Sequence, residues 1–372
     1  MTPQFHEIGL ESRIALERLI VLANRDILIC VPGLVLKAPI ASPKLVDRGF
    51  DFVADLLSFM TAQNIAVRVL VPTPDPVLHP GAHRQAWAVA SDLVQAVPDD
   101  IQVLCAGHAH RPGRIARWRN RRGLSAARAE LQATPNAKKT PEQRRVSRGH
   151  VPRTAGLAQS FVVIDGTTAL FGGFGFDGAP AVCAEVGGSA AAILKQIFQR
   201  DWNALTLVDE TPLPRASAQL MPAVVTAQPT HTLRCLRTES KPGSDWYPEQ
   251  DLAQTLRTLV QAFATAQHRV LIRAQSVSDP DLIAALNQVA QRSNISLRLH
   301  LPPGQSLPDA LGRAVTSAAS NHHDPWSSLI VVDENMAILG LPALSRQALR
   351  YDTGTALMFR NPRDVNALAM TF

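Results

Sequence analysis

Two spacings of apolar residues alternate along the chain. Leu16, Leu19, Ile20 and Ala23 fall on one face of a helix, and the run Ile27 to Val31 that follows has the length of a buried strand. Val53, Leu56, Leu57 and Met60 again share a helical face, and Ile65 to Val71 is a second strand pattern. After residue 250 the order returns. Leu252, Leu256, Leu259, Val260 and Phe263 form a helical stripe ahead of the strand Val270 to Arg273. Leu282, Ala285, Leu286 and Val289 form another, ahead of Ile295, Leu297, Leu299 and Leu301, which alternate with polar residues as a half-buried strand does.

The closest internal match ends each half. AQSFVVIDGTTALFGG (Ala158 to Gly173) aligns with WSSLIVVDENMAILGL (Trp326 to Leu341): a buried strand, an Asp-containing turn and a second short apolar strand. Asp165 and Asp333 are 168 residues apart, far too long for a solenoid repeat, so the spacing predicts duplication of a whole α/β lobe. Between the halves, Thr211 to Gly243 holds Pro212, Pro214, Pro222, Pro229 and Pro242 among Ala, Ser and Thr, the composition of a connector. The expected division is therefore 1–205 for the first lobe, 206–245 for the connector and 246–372 for the second lobe.

Composition narrows the class. Of 372 residues 46% are apolar and 18% charged, which excludes a disordered chain, a collagen and a small disulfide scaffold. The most apolar stretch, Ile27 to Leu36, is broken by Pro32 and Gly33 and is too short to span a bilayer. The first residues lack the charged and apolar regions of a secretory signal, so a cytoplasmic location is expected, with peripheral contact at the inner membrane of a bacterium. Cys30, Cys105, Cys183 and Cys235 show no CxxC spacing, so neither metal nor disulfide is expected, and no cofactor motif is present. Cys30 and Cys105 end apolar runs and should pack as small hydrophobes.

The net charge of +6 is concentrated in one segment. Residues 111–153, expected as an insertion in the first lobe, carry 13 Lys and Arg against Glu130 and Glu142, while the rest of the chain is net acidic. Such a run is either a solvated insertion or a polycation for an anionic partner. An anionic phospholipid surface fits it best, with Arg114, Arg117, Arg121 and Arg122 as anion-binding candidates. Nucleic acid is the second partner class, disfavoured because Trp118 is the segment's sole aromatic residue for base stacking.

The paired Asp-turn units, with Gly172 and Gly173 after the first and Gly340 after the second, resemble the phospholipase D superfamily, whose two lobes each supply one HxKxxxxD motif followed by a glycine pair. The segments Thr73 to Trp87, Gly107 to Arg114 and Ala348 to Pro362 resemble the flanks of these motifs in bacterial members. The resemblance implies a phospholipase D-like α/β fold: two similar lobes related by pseudo-two-fold symmetry, each with helices flanking a central mixed sheet. In that family one His attacks phosphorus, the other protonates the leaving alcohol, and the lysines stabilise charge on the non-bridging oxygens.

Those four positions are substituted here. Counting back from Asp165, the His and Lys positions hold Ala158 and Ser160; counting back from Asp333, they hold Trp326 and Ser328. Ala158 has no nucleophile and Trp326 no basic nitrogen. His150, His322 and His323 are the candidate substitutes, each separated from its motif by a proline. Ser160 and Ser328 retain the capacity to donate to a bound anion. Asp165 and Asp333 are explained without catalysis, as turn residues whose carboxylates bond their own backbone. The sequence thus implies a catalytically silent phospholipid- or phosphate-binding protein. The alternatives are an active phosphodiesterase or phosphatidyltransferase using non-standard residues, and a nucleic-acid-binding member of the fold.

Overall fold

A computed structural model of the chain describes residues 2–6, 9–74, 76, 80–96, 101–106, 125, 129–147, 157–174, 176, 181–206, 221–222, 233–238, 254–302, 311, 316–319, 328–341, 343–350 and 352–372. The first lobe runs β1 (Gln4–His6), α1 (Gly9–Val21), β2 (Asp26–Cys30), α2 (Pro43–Val46), α3 (Val53–Ala62), β3 (Ala66–Pro72), α4 (Pro80–Ala96), β4 (Gln102–Ala106), α5 (Pro141–Ser147), β5 (Leu157–Ala158), β6 (Phe161–Ile164), β7 (Thr168–Gly172), β8 (Cys183–Gly187) and α6 (Ser189–Thr206). The second runs β9 (Leu233–Thr238), α7 (Gln254–Thr265), β10 (Arg269–Arg273), α8 (Pro280–Ala290), β11 (Ser296–Leu301), β12 (Thr316–Ala319), β13 (Leu329–Val332), β14 (Met336–Leu339), α9 (Arg346–Arg350), β15 (Thr353–Phe359) and α10 (Pro362–Met370).

The two sheets have one topology. The first is ordered β1-β8-β7-β6-β2-β3-β4 and the second β9-β15-β14-β13-β10-β11-β12, with β5 as an extra strand on β15. In each, three parallel strands continue into an antiparallel block: β2, β3 and β4 are parallel and β2 turns antiparallel to β6, as β10, β11 and β12 are parallel and β10 turns antiparallel to β13. This is the duplicated mixed α/β lobe that the repeated Asp-turn unit predicts.

Strand alternation builds the layers. Ile27, Ile29, Val67, Val69 and Val162 point to the first lobe's outer core with Leu16 and Ile20 of α1 and Val53, Leu56 and Leu57 of α3. Val270, Ile272, Leu297, Leu299 and Ile330 do the same in the second lobe with Leu259 and Phe263 of α7 and Leu282 and Leu286 of α8. The residues in between face a shared core: Leu28, Leu70, Phe161 and Phe171 of one sheet meet Leu271, Leu329, Leu339 and Phe359 of the other, with Phe198 and Trp202 of α6 and Leu368 of α10. Both sheets are covered on both faces, which is why their strands read as nearly continuous apolar runs.

The stretch expected as a connector contains β9, which pairs antiparallel with β15 from Leu233↔Phe359 to Thr238↔Gly354. The described part of the basic segment is docked on the first lobe. Leu131, Thr140 and Gln143 are buried; Thr140 Oγ1 and the Gln143 side chain exchange hydrogen bonds with each other's backbone, and Gln143 Nε2 donates to the carbonyls of Pro76 and Pro80. Cys30, Cys105 and Cys183 are buried. No helix among the described residues is long and apolar enough to cross a membrane.

Candidate functional site

Each motif strand has two ends with different surroundings. Asp165 follows β6 and lies beside Asp26, where β2 begins; Ser160 precedes β6, past the pair Cys30↔Phe161, where β2 ends. In the second lobe Asp333 lies beside Arg269 at the start of β10, and Ser328 lies past Arg273↔Leu329 at its end. In sheets of this kind ligands bind beyond the C-terminal ends of the parallel strands. The serine ends are therefore the candidate site and the aspartate ends are not.

The aspartates close the lobes. Asp165, at φ 55°, accepts from the backbone N–H groups of Asn24, Arg25 and Asp26 at 2.9, 2.8 and 3.0 Å. Asp333, at φ 52°, accepts from Gln267, His268 and Arg269 at 2.9, 2.8 and 2.9 Å. The expectation that these carboxylates bond their own backbone is thus corrected: left-handed backbone at the turn swings each side chain onto the loop that opens the neighbouring strand. Burial pushes both carboxyls up, but the backbone donors outweigh it and hold each below the ordinary carboxylate range.

The serine ends meet across the lobe boundary. The backbone N–H of Gly172 donates to the Ser160 carbonyl at 3.1 Å, and that of Gly340 donates to the Ser328 carbonyl at 3.0 Å. Gly340, at φ 93°, lies against the Phe171 ring, and a Cβ there would run into it. Leu157 takes the Thr73 carbonyl at the end of β3, while Leu157 and Ala158 pair with Thr353 and Gly354 of β15. A first-lobe motif strand is thereby an edge strand of the second sheet. The packing is close: a Cβ at Gly354 would stand 3.0 Å from the Ala158 carbonyl oxygen.

Gln159, between Ala158 and Ser160, ties this junction together. It is fully buried, donates from Nε2 to Asp201 Oδ2 of α6 at 2.9 Å, and accepts from Thr355 Oγ1 of β15 at 3.0 Å. Asp201 and Thr355 are buried as well. Sequence reasoning missed all three, because a spacer position carries no motif signal and Thr355 is 196 residues away. Around the same strand, the hydroxyls of Thr73, Ser160 and Thr353 are buried with no hydrogen-bond partner among the described residues.

Of the sequence candidates, Ala158, Ser160 and Ser328 come to this junction and Asp165 and Asp333 lie at the far strand ends. Trp326, the substitute histidines His150, His322 and His323, and Arg114, Arg117, Arg121 and Arg122 lie outside the described residues. Arg350 is bound to Asp279, the buried N-cap of α8, by two guanidinium donors at 2.8 and 3.2 Å, and also pairs with Asp281. These carboxylates raise its pKa further, so it serves as a structural cation.

No family model matches the sequence, and no curated protein matches it. Solved structures do match. The phosphatidylserine synthase of Haemophilus influenzae Rd KW20 is similar over 99% of this chain and 84% of its own, with a TM-score of 0.56 and 10% identity. A polyphosphate kinase from Porphyromonas gingivalis is similar over 99% of this chain, with a TM-score of 0.54 and 9% identity. This chain spans 46% of that kinase's length. The chain therefore has the two-lobed phospholipase D-like fold.

Proposed function

We propose that this chain is a member of the phospholipase D superfamily in which phosphohistidine chemistry has given way to binding of a phosphate-bearing anion, foremost a phospholipid headgroup at a membrane surface. The observation that carries the reading is the motif strand itself. Its nucleophile position is Ala158, paired with Gly354 and preceded by Leu157, whose N–H donates to the Thr73 carbonyl, and its cation position is Ser160, buried at 2% exposure. No proton-transfer group stands at either position. The hydroxyls of Thr73, Ser160 and Thr353 have no partner among the described residues, and phosphate oxygens are acceptors. The basic segment supplies the charge for an anionic surface.

The test uses the full chain with vesicles. Flotation with phosphatidylglycerol vesicles, and not with phosphatidylcholine vesicles, is expected, weakening from low to physiological salt as screening shortens the reach of the cations. Release of choline or alcohol should not exceed a heat-killed control. Release that disappears on His323→Ala or His150→Ala would establish an active phosphodiesterase instead, and tighter salt-dependent binding to DNA than to anionic vesicles would replace lipid by nucleic acid.

A further inference from the structure

Away from the lobe junction, the docked part of the basic segment encloses a groove of about 580 Å³ lined by Gln132, Asn136, Ala137, Lys139, Arg144 and Ser147. Its walls are held in place. The Thr140 and Gln143 exchange fixes the start of α5, and Gln143 anchors it to the Pro76 and Pro80 carbonyls. Ser147 is occupied too, with its hydroxyl donating to the carbonyls of Gln143 and Arg144.

Among the described residues, the cations in this groove have no counter-charge. Lys139 is 7% exposed, and its ammonium donates to the neutral Asn136 amide oxygen at 3.1 Å. Among the described residues the Arg144 guanidinium has no hydrogen-bond or ion-pair partner, and none of the described residues lining the groove is a carboxylate. Withdrawing an ammonium from water costs several kcal/mol unless an anion or a full set of acceptors replaces the lost hydration. Among the described residues the Lys139 ammonium has one neutral acceptor, which leaves its remaining donors for an anion in the groove.

We infer that this groove is a binding site for a small phosphorylated molecule, with Arg144 and Lys139 sharing one phosphate group. A guanidinium offers paired donors to two phosphate oxygens and an ammonium adds a point charge, which together match a dianion. The volume exceeds what a bare phosphate fills and lies within the range of about 300–1,000 Å³ typical of small-molecule sites, so a phosphomonoester or a diphosphate fits. The inference does not rest on the junction reading, since the two share no residue.

Calorimetric titration of the full chain with sodium pyrophosphate tests it, beside flotation with phosphatidic acid vesicles. Arg144→Gln and Lys139→Gln should each weaken pyrophosphate binding about tenfold or more, whereas Arg257→Gln, an exposed cation of α7, should leave it within about twofold. Arg144 is half-buried and has no partner among the described residues, so its variant should melt with the wild type and report binding alone. Loss of vesicle binding alone in Arg144→Gln would assign the phosphate to a lipid headgroup; loss of pyrophosphate binding would assign it to a soluble molecule. Equal weakening by all three variants, or no Arg144-dependent binding in either arm, overturns the site.

Discussion

Asp165 and Asp333 each collect three backbone N–H groups from the residues that open β2 and β10, and the two sets of distances agree to within about a tenth of an ångström. At the opposite end of the first sheet the two lobes interlock. The strand Leu157–Ala158 leaves its own sheet to pair with β15, and Gln159 reaches from it to Asp201 in one lobe and Thr355 in the other. The difference separates two roles along one strand. Asp165 and Asp333 close the starts of β2 and β10 in the same way in both lobes. Ala158 and Gln159, seven and six positions before Asp165, join one lobe to the other.

The largest expected effect follows from that division. Asp333→Ala should cost about 3 kcal/mol, because it strips a carboxylate from three donors at a buried site, and Asp165→Ala should cost somewhat less at its half-buried one. Both folded pKa values are depressed, so this stability is present above the unfolded-state value of about 3.9 and is lost as pH falls through the folded values. Urea melts of the two variants check it. A neutral Asp333→Ala would end the claim that the turn carboxylate is structural.

A second effect is confined to the first lobe. His83 of α4 is 2% exposed, and burial pulls its pKa down to about 4, partly offset by the Pro74 carbonyl 2.9 Å from Nδ1 and reinforced by Arg84. The unfolded histidine takes a proton near 6.5 and the folded one does not. Stability is therefore undiminished above about 6.5 and falls as pH drops toward 4, by about 3 kcal/mol over the whole span. His83→Asn, which keeps a donor for the Pro74 carbonyl, should flatten thermal stability across that window. An unchanged slope would place the acid sensitivity elsewhere.

The fold was largely legible in the sequence because both sheets are covered on both faces, so strands stand out as apolar runs and helices as stripes. The stripe Val53, Leu56, Leu57 and Met60 is the buried face of α3, and Leu282, Ala285, Leu286 and Val289 that of α8. What escaped has little local signal. The strand β5 is two residues long, and β9 lies in a stretch where LRCLRT alternates weakly among prolines. Docking of the basic segment was overlooked although Thr140-Pro141-Glu142-Gln143 has the spacing of a helix-capping box, since its charge drew attention away from its buried positions. Deleting residues 117–148 would thus uncover the first lobe as well as remove charge. At the junction, the spacing back from Asp165 singled out Ala158 and Ser160, but the latch through Gln159 depends on partners that only the folded chain brings near.

The smallest effect is the most informative about the junction. Ser160 Oγ is buried with no hydrogen-bond partner among the described residues, so Ser160→Ala removes a polar group that has already lost its water and takes no bond from them. Replacing such a group by an apolar one is close to neutral, and unfolding stability without ligand should stay within about 1 kcal/mol of the wild type. If a phosphate-bearing anion takes that hydroxyl, the variant should instead lose part of the Tm rise that short-chain phosphatidic acid produces, because a ligand stabilises only in proportion to its affinity for the folded state. Melts with and without the lipid separate the two contributions. An unliganded loss above about 2 kcal/mol would mean that the hydroxyl is already bonded in the fold, and an unaltered lipid-induced rise would remove Ser160 from the binding site.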